Sequence, residues 1–337
     1  MKYIVFDLEW NQCPTGKEKE NKRLPFEIIE IGAVKLNENL EKIDEFTTTI
    51  KPKVYKNLHY KIKEINKITQ KELSESKGFK QAVTEFLDWC EDDCTYCTWG
   101  SLDLMELQRN MQFYKMGRVF PFPLLYLDIQ KMFSIDKEDG KSRRSLMHAV
   151  EFLNKEMDDG FHRALNDSIY TWKVMQKIDF ERVKSFYSID CYFVPRNKQE
   201  EIYARFLTYS KYISRRFSSK EKALMDPEVV SLRCSECNEP IDIKIPWFSD
   251  NAKTYYALGH CKEHGYMKCK IRMKKNINNK IYAVKTVSPA TKETIWQIEE
   301  KQGIIREKRR ERRNRLHERE HEQDYEMKSN NEEDRMV

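Results

Sequence analysis

Acidic side chains close the first apolar run of this sequence. Asp7 and Glu9 lie two residues apart in MKYIVFDLEW. Alternate residues of a β-strand project from one face, so the two carboxylates would lie side by side. Such a pair repels itself unless a cation lies between its members, and Mg²⁺ or Mn²⁺ takes oxygen ligands of this kind. The pair indicates a divalent metal site; a strand that simply ends in solvent is the alternative.

A histidine and an aspartate lie five residues apart in HRALND, namely His162 and Asp167. On a helix, that spacing places the two side chains within about a turn and a half of each other. Histidine can take a proton from water near neutral pH, and Asp167 could join Asp7 on the ion that holds that water. A helix-start histidine followed by an exposed aspartate is the alternative for this pair taken alone.

A fifth candidate, Asp103, follows the segment WGSL, where a predicted strand ends and a helix begins. The N-terminal turn of a helix favours negative charge, and this turn would lie at the same end of the sheet. The alternative is that Asp103 only caps its helix.

In chain order, Asp7-x-Glu9, Asp103 and His162-x4-Asp167 resemble the signature of the DEDDh exonucleases. This is the family of RNase T and of the proofreading subunit of bacterial DNA polymerase. The resemblance spans roughly residues 1–180 and includes EIIEIGAV, which is similar to the family's second strand. Within the family, FDLEW and EIIEIGAVKL are similar to the branch of the histone-mRNA exonuclease and KapD, which favours RNA.

The resemblance implies a ribonuclease H-like α/β fold, with a mixed sheet flanked by helices, and metal-dependent 3′-to-5′ hydrolysis of single-stranded ends. It implies two Mg²⁺ or Mn²⁺ ions. Asp7, Glu9 and Asp167 would hold the ion whose water His162 deprotonates. Asp7 would also hold the second ion, which stabilises the leaving 3′ oxygen, and Asp103 would act through an ion-bound water.

Two residues depart from the family pattern. Trp10 stands where many members have threonine, and its indole could stack on a terminal base of the substrate. A core indole is the alternative for Trp10. Ser168 stands where alanine is common, a change that we expect to be harmless.

Four residues in two tight turns have the spacing of metal ligands. They are Cys234, Cys237, Cys261 and His264. This arrangement predicts a closed, structural zinc site in a small, β-rich, zinc-ribbon-like module, which the ion would help to fold. Cys269 or His260 could replace His264 as the fourth ligand, and reduced cysteines packed in a β module are the alternative to a metal site.

The candidate residues need a sheet and helices to position them. The pattern from Lys2 to Leu8 predicts a central strand, because it is apolar on both faces. Further strands are predicted at 27–36, 45–50 and 95–99, and helices at 80–89, 101–116, 145–154 and 162–178.

The 337 residues suffice for one large domain and a smaller module. We predict an exonuclease domain over 1–185, a helical linker over 186–230, the zinc module over 231–287, and a charged helix and tail over 288–337. The net charge of +6 is modest, but residues 306–319 carry eight Lys or Arg against three Glu. They could contact phosphates; a solvated helix with i,i+4 ion pairs is the expected outcome.

The first apolar run is too short for a signal peptide, and no later run approaches a membrane span. The nine cysteines would therefore be reduced thiols or metal ligands in a cytoplasmic protein. The expected partner is single-stranded nucleic acid, RNA rather than DNA. Two alternatives remain: a DNA exonuclease in repair or proofreading, and a nucleic-acid-binding adaptor without catalysis, against which the complete five-residue set argues.

Overall fold

The computed structural model describes residues 2–153, 162–249, 251–276 and 279–333, with no side-chain description for residues 66 and 316–333. The chain divides into two units, residues 1–193 and 194–337. Among the described residues, no helix is both long and apolar enough to cross a membrane.

The first unit is built on a seven-stranded mixed sheet with the order β4-β3-β2-β1-β5-β6-β7. Its strands are β1 (Lys2–Gln12), β2 (Phe26–Leu36), β3 (Lys42–Lys51), β4 (Lys77–Gly78), β5 (Cys94–Thr98), β6 (Leu125–Asp128) and β7 (Ser188–Ile189). Strand β1 pairs antiparallel with β2 and parallel with β5, so the predicted central position of the first strand is confirmed.

Helices cover both faces of this sheet. They are α1 (Tyr60–Asn66), α2 (Gln70–Glu75), α3 (Phe79–Cys90), α4 (Leu102–Phe113), α5 (Ile129–Lys137), α6 (Leu146–Phe152), α7 (Ala164–Met175) and α8 (Phe180–Val183). The predicted helices at 80–89, 101–116 and 145–154 correspond to α3, α4 and α6. Helices α1, α2, α5 and α8 were not predicted.

Alternation along β1 sorts its side chains between two buried clusters. Ile4 and Phe6 belong to the cluster that includes residues of α3 and α4, whereas Tyr3 and Val5 belong to the cluster of α5, α6 and α7. Since successive residues face opposite sides of a strand, Asp7 continues the second set. The first carboxylate motif therefore lies on the face of the sheet that α7 covers.

The prediction that His162 begins a helix is wrong. Helix α7 begins at Ala164, and His162 lies two residues earlier with a left-handed φ of 70°. A non-glycine residue with positive φ cannot belong to a right-handed α-helix.

The second unit contains a six-stranded antiparallel sheet with the order β10-β11-β12-β13-β9-β8. Its strands are β8 (Ile202–Arg205), β9 (Ser210–Ile213), β10 (Asp242–Ser249), β11 (Thr254–Cys261), β12 (Gly265–Lys275) and β13 (Ile281–Pro289), and its helices are α9 (Lys220–Met225), α10 (Pro227–Val230) and α11 (Lys292–Glu333). The predicted charged helix thus corresponds to α11. The described side chains of 306–315 are all exposed, and Arg315 lies 3.9 Å from Glu311, four residues earlier, as expected of a solvated helix.

The helical linker predicted over 186–230 is wrong for much of its length. Residues 202–205 and 210–213 form β8 and β9, and β9 pairs with β13. Two four-residue strands joined by a short turn contain too few alternations to reveal a period of two. The β-rich part of the second unit consequently begins well before the predicted boundary at residue 231.

Candidate active site

Three carboxylates of the first unit converge although they come from distant parts of the sequence. One oxygen from each of Asp7, Glu9 and Asp167 lies within 4.8 Å of the others. Asp7 and Glu9 extend from β1, and Asp167 lies in the first turn of α7. Oxygen ligands in this number and type suit Mg²⁺ or Mn²⁺.

The electrostatics of this cluster also favour a cation. Burial and the neighbouring carboxylates Asp103, Asp167 and Glu9 raise the pKa of Asp7 well above its ordinary value. Burial raises the pKa of Asp167 to about 6. A divalent cation would stabilise the ionised forms that this crowding disfavours, so the residues fit such an ion.

Asp103 lies beside the three-carboxylate group rather than within it. It is the second residue of α4 and is 5% exposed. Burial raises the pKa of Asp103 to about 7, even though its carboxylate accepts hydrogen bonds from its own backbone N–H and from that of Leu8. Its charge acts on Asp7, which places it close to the cluster.

His162 is exposed and lies two residues before the start of α7. Its backbone N–H donates a hydrogen bond to Oδ1 of Asp167 over 3.4 Å. The predicted histidine therefore adjoins the carboxylate cluster, with its side chain accessible to solvent.

The neighbouring residue, Arg163, binds a carboxylate that the sequence reasoning missed. Its Nε lies 3.0 and 3.1 Å from the two oxygens of Glu30, and its Nη2 lies 2.8 Å from Oε1. Glu30 is only 1% exposed and lies opposite Glu9 in the pairing of β1 with β2. The signal was an acidic residue inside the apolar run EIIEIGAV, since a buried carboxylate requires a partner.

Gly32 allows α7 to approach the sheet at this point. A Cβ atom on Gly32 would lie 2.0 Å from the backbone nitrogen of Leu165 and 2.2 Å from the carbonyl carbon of Ala164. Gly32 is the register partner of Asp7. Ser168 donates a hydrogen bond to the Gly32 carbonyl over 2.8 Å, so the serine at this position fastens α7 to β2.

Comparison with known families decides the assignment of this unit. Residues 4–175 match the RNase T family, described as exonuclease. The chain belongs to this exonuclease family. Its first unit has the ribonuclease H-like fold of a DEDDh 3′-to-5′ exonuclease, as the resemblance implied.

Two curated relatives are similar to this exonuclease over about half of its length. The probable 3′-5′ exonuclease KapD of Bacillus subtilis (strain 168) is 26% identical over 186 residues, which cover 53% of this chain and 85% of KapD. The PolC-type DNA polymerase III of Clostridium perfringens (strain 13 / Type A) is 27% identical over 191 residues, covering 54% of this chain but only 11% of the polymerase.

Solved structures are similar to the same portion of the chain. The nuclease domain of 3′hExo, a DEDDh family member bound to rAMP, has a TM-score of 0.47 and 21% identity over 56% of this chain and 96% of that one. A 3′-exonuclease recognising the 3′ end of a histone mRNA stem-loop has a TM-score of 0.46 and 20% identity, over 56% of this chain and 85% of that one.

Trp10 is half-buried and packs against the cluster on the α3 and α4 face of the sheet. Its ring centroid lies 5.6 Å from that of Phe26. The structure thus gives the indole a packing role, as the alternative interpretation proposed, and its stacking on a substrate base stays a prediction.

The exonuclease contains a second group of possible metal ligands, in its second unit. Cys234, Cys237, Cys261 and His264 place their ligand atoms within 4.8 Å of one another. The sulfurs of Cys237 and Cys261 are 3.7 Å apart, and Nδ1 of His264 lies 3.6 Å from the Cys261 sulfur. Zn–S bonds of about 2.3 Å place two sulfurs about 3.8 Å apart around a tetrahedral ion, so the spacing fits zinc.

Two features of the second unit bear on which residues would bind zinc. The backbone N–H and imidazole of His264 lower the pKa of the Cys261 thiol to about 6, which favours the thiolate that binds metal. Cys269 is buried, contacts the Met267 carbonyl at 3.8 Å and lies outside the four-residue group, as does His260.

Proposed function

We propose that this chain is a metal-dependent 3′-to-5′ exonuclease that removes nucleotides from single-stranded RNA ends. The observation that carries the proposal is the convergence of Asp7, Glu9 and Asp167 within 4.8 Å, next to His162. Membership of the exonuclease family supports the direction of hydrolysis, and the choice of RNA is a finer step of our own.

We infer that Asp7, Glu9 and Asp167 hold two Mg²⁺ or Mn²⁺ ions. Such ions, when bound, acidify a water and offset charge on the leaving 3′ oxygen. Asp7 is the residue best suited to bind both, because it is half-buried and the charges of Asp103, Asp167 and Glu9 all act on it. Asp103 would accept a hydrogen bond from an ion-bound water, which agrees with its place beside the group.

We assign the role of general base to His162. It is exposed, so substrate and water can reach its imidazole. The hydrogen bond from its backbone to Asp167 holds it close to the carboxylates, where an attacking water would lie. A neutral imidazole would accept the proton of that water.

RNA is favoured over DNA by the similarity of FDLEW and EIIEIGAVKL to the branch that includes the histone-mRNA exonuclease. We further propose that the Cys₃His group holds a structural zinc, that the second unit helps to hold substrate, and that the protein acts in the cytoplasm. The nine free cysteines support the last point.

Matched RNA and DNA strands test the choice of substrate. Both carry one sequence and a 5′ label, and kcat/KM is measured with Mg²⁺ and with Mn²⁺. We expect RNA to be degraded at least about tenfold faster. A preference for DNA would replace the proposal with a repair or proofreading nuclease, and binding without hydrolysis of either would favour an adaptor.

A further inference from the structure

A cavity of about 220 Å³ opens on the sheet of the second unit. Strands β8, β9 and β13 contribute Tyr203, Tyr212 and Lys285 to its lining. Arg233 and Asn238 line it from the segment that carries the first cysteine turn. Pockets for drug-sized ligands occupy about 300–1,000 Å³, so this one suits a single ring system.

Two tyrosines form an aromatic platform in this cavity. Tyr203 and Tyr212 are register partners on β8 and β9, and their ring centroids are 4.8 Å apart with the planes inclined at 37°. Tyr212 is buried, whereas Tyr203 stays 61% exposed on a strand at the edge of the sheet. Because one ring supports the other, Tyr203 presents a fixed aromatic surface to solvent.

Basic residues outnumber acidic ones in the lining of this cavity. The basic residues that line the cavity are Arg205, Lys211, Arg233 and Lys285, against one carboxylate, Glu228. Arg205 follows Tyr203 by two residues on the same strand, so it shares the tyrosine's face. Arg205 and Arg233 are exposed and accessible to an anion.

Lys285 has a structural part in the cavity. It is 6% exposed, and its Nζ donates hydrogen bonds to the carbonyls of Glu228 and Ser231 and to the Ser231 hydroxyl, over 2.6 to 2.9 Å. These bonds use all three ammonium hydrogens and hold the segment of Glu228 and Ser231 against β13. Its charge adds to the field, while the two exposed arginines offer N–H donors to a ligand.

We infer that this cavity binds one nucleotide of a single-stranded nucleic acid, with the base on Tyr203 and the phosphate facing Arg205 and Arg233. An exposed ring beside cations suits a planar, anionic ligand, because bases stack on aromatic side chains while basic residues neutralise the backbone. The inference rests on the proposed function for its choice of ligand, and it concerns a site apart from the carboxylate cluster.

Binding is measured on the full chain carrying Asp7→Ala, which prevents cleavage of the probe. The probe is a fluorescein-labelled ten-nucleotide single strand, as oligouridylate and as oligothymidylate, followed by anisotropy. The buffer contains no chelator, so that zinc is retained. Tyr203→Ala and Arg205→Ala are compared with Tyr203→Phe, which keeps the ring, and with Lys244→Ala, an exposed cation on β10 at the opposite edge of the sheet.

We expect Tyr203→Ala to weaken strand binding about tenfold, and Tyr203→Phe and Lys244→Ala to change it less than about twofold. Arg205→Ala should weaken binding and lower the salt dependence by about one counterion. Equal affinities of Tyr203→Ala and Lys244→Ala for the strand would overturn the inference. It would also be overturned if a phosphotyrosine peptide displaced the strand and bound with an affinity that depends on Tyr203.

Two further measurements, AMP binding and hydrolysis of a small ester, distinguish how the cavity is used. Titration with AMP tests whether a free mononucleotide binds: Tyr203-dependent binding of AMP would identify product capture, and strand binding alone would identify a strand-tracking site. Tyr203→Ala with Asp7 intact should hydrolyse thymidine 5′-monophosphate p-nitrophenyl ester at the wild-type rate. Loss of that hydrolysis in Tyr203→Ala would contradict the claim that the cavity is distinct from the carboxylate cluster. A wild type that does not hydrolyse the ester would contradict the proposed function and leave the strand-binding result as the test of the cavity.

Discussion

The buried carboxylate of Glu30 is paired with the guanidinium of Arg163 through contacts of 2.8, 3.0 and 3.1 Å. This pair joins two parts of the active site, because Glu30 lies opposite Glu9 on the sheet and Arg163 directly follows His162. The same carboxylate is 3.3 Å from the backbone N–H of Ala164, the first residue of α7. We therefore interpret Arg163 as a positioning residue for His162.

Arg163→Ala should lower kcat by about 10- to 100-fold with little change in KM, because a small displacement of a catalytic group is costly while the substrate contacts stay in place. Arg163→Lys should recover only part of the rate, since lysine cannot reproduce the planar pairing. Single-turnover and steady-state kinetics measure both variants. Arg196→Ala, which removes an exposed arginine paired with Glu200 in the second unit, is the control and should be neutral. A rise in KM alone would contradict a positioning role.

Gly32→Ala should abolish most activity, because the added methyl would collide with the backbone of α7 and displace Asp167 from Asp7. The matched control is Gly78→Ala, whose added Cβ would have no atom within 4 Å. Titration with Mn²⁺, followed by electron paramagnetic resonance, should show weakened metal binding for Gly32→Ala only. Equal binding by the two variants would disprove the close approach of helix and strand.

Without metal, the free energy of unfolding should fall as the pH rises from about 4 to about 7. Burial raises the pKa of Asp103 from 3.8 to about 7, so the folded protein binds more protons than the unfolded chain in that window. A tenfold difference in proton affinity between the two states corresponds to about 1.4 kcal/mol. Urea unfolding across this range should show a smaller decline for Asp103→Asn, and Mg²⁺ should stabilise the wild type more at pH 8 than at pH 5. Identical slopes for wild type and variant would refute this linkage.

His264→Ala should reduce the zinc content of the purified protein and destabilise the second unit, because a closed site loses one of its four ligands. His260→Ala should keep its zinc, since this histidine lies outside the group. Zinc is measured by elemental analysis, with thermal unfolding recorded alongside. Zinc loss in His260→Ala with retention in His264→Ala would reverse the ligand assignment.

The sequence predicted those elements of the first unit whose apolar pattern extends over many residues. Strand β1 and helix α3 carry clear apolar patterns, and the acidic residues that close the apolar run of β1 indicated the position of the site on the sheet. His162 was expected within the helix because the HRALND spacing suits one; its positive φ depends on tertiary contacts that a local pattern does not contain.

The missed features depend on long-range pairing. Glu30 and Arg163 are 133 residues apart, so no local sequence pattern predicts their contact. Strands β8 and β9 were misread as helical because their four-residue stretches gain strand geometry from pairing, β9 with β13 and β8 with β9. The cavity at Tyr203 and Arg233 depends on that same pairing and could not be predicted from either segment alone.

The most direct test of the central claim follows a 5′-labelled single strand on a sequencing gel, with wild type beside Asp7→Asn and His162→Ala. Asp88→Asn, an exposed residue of α3, serves as the control. We predict a ladder that shortens from the 3′ end and requires Mg²⁺ or Mn²⁺, with loss of at least about 10³-fold in rate for Asp7→Asn and no change for Asp88→Asn. Wild-type rates in correctly folded Asp7→Asn would contradict the assignment of these carboxylates to catalysis.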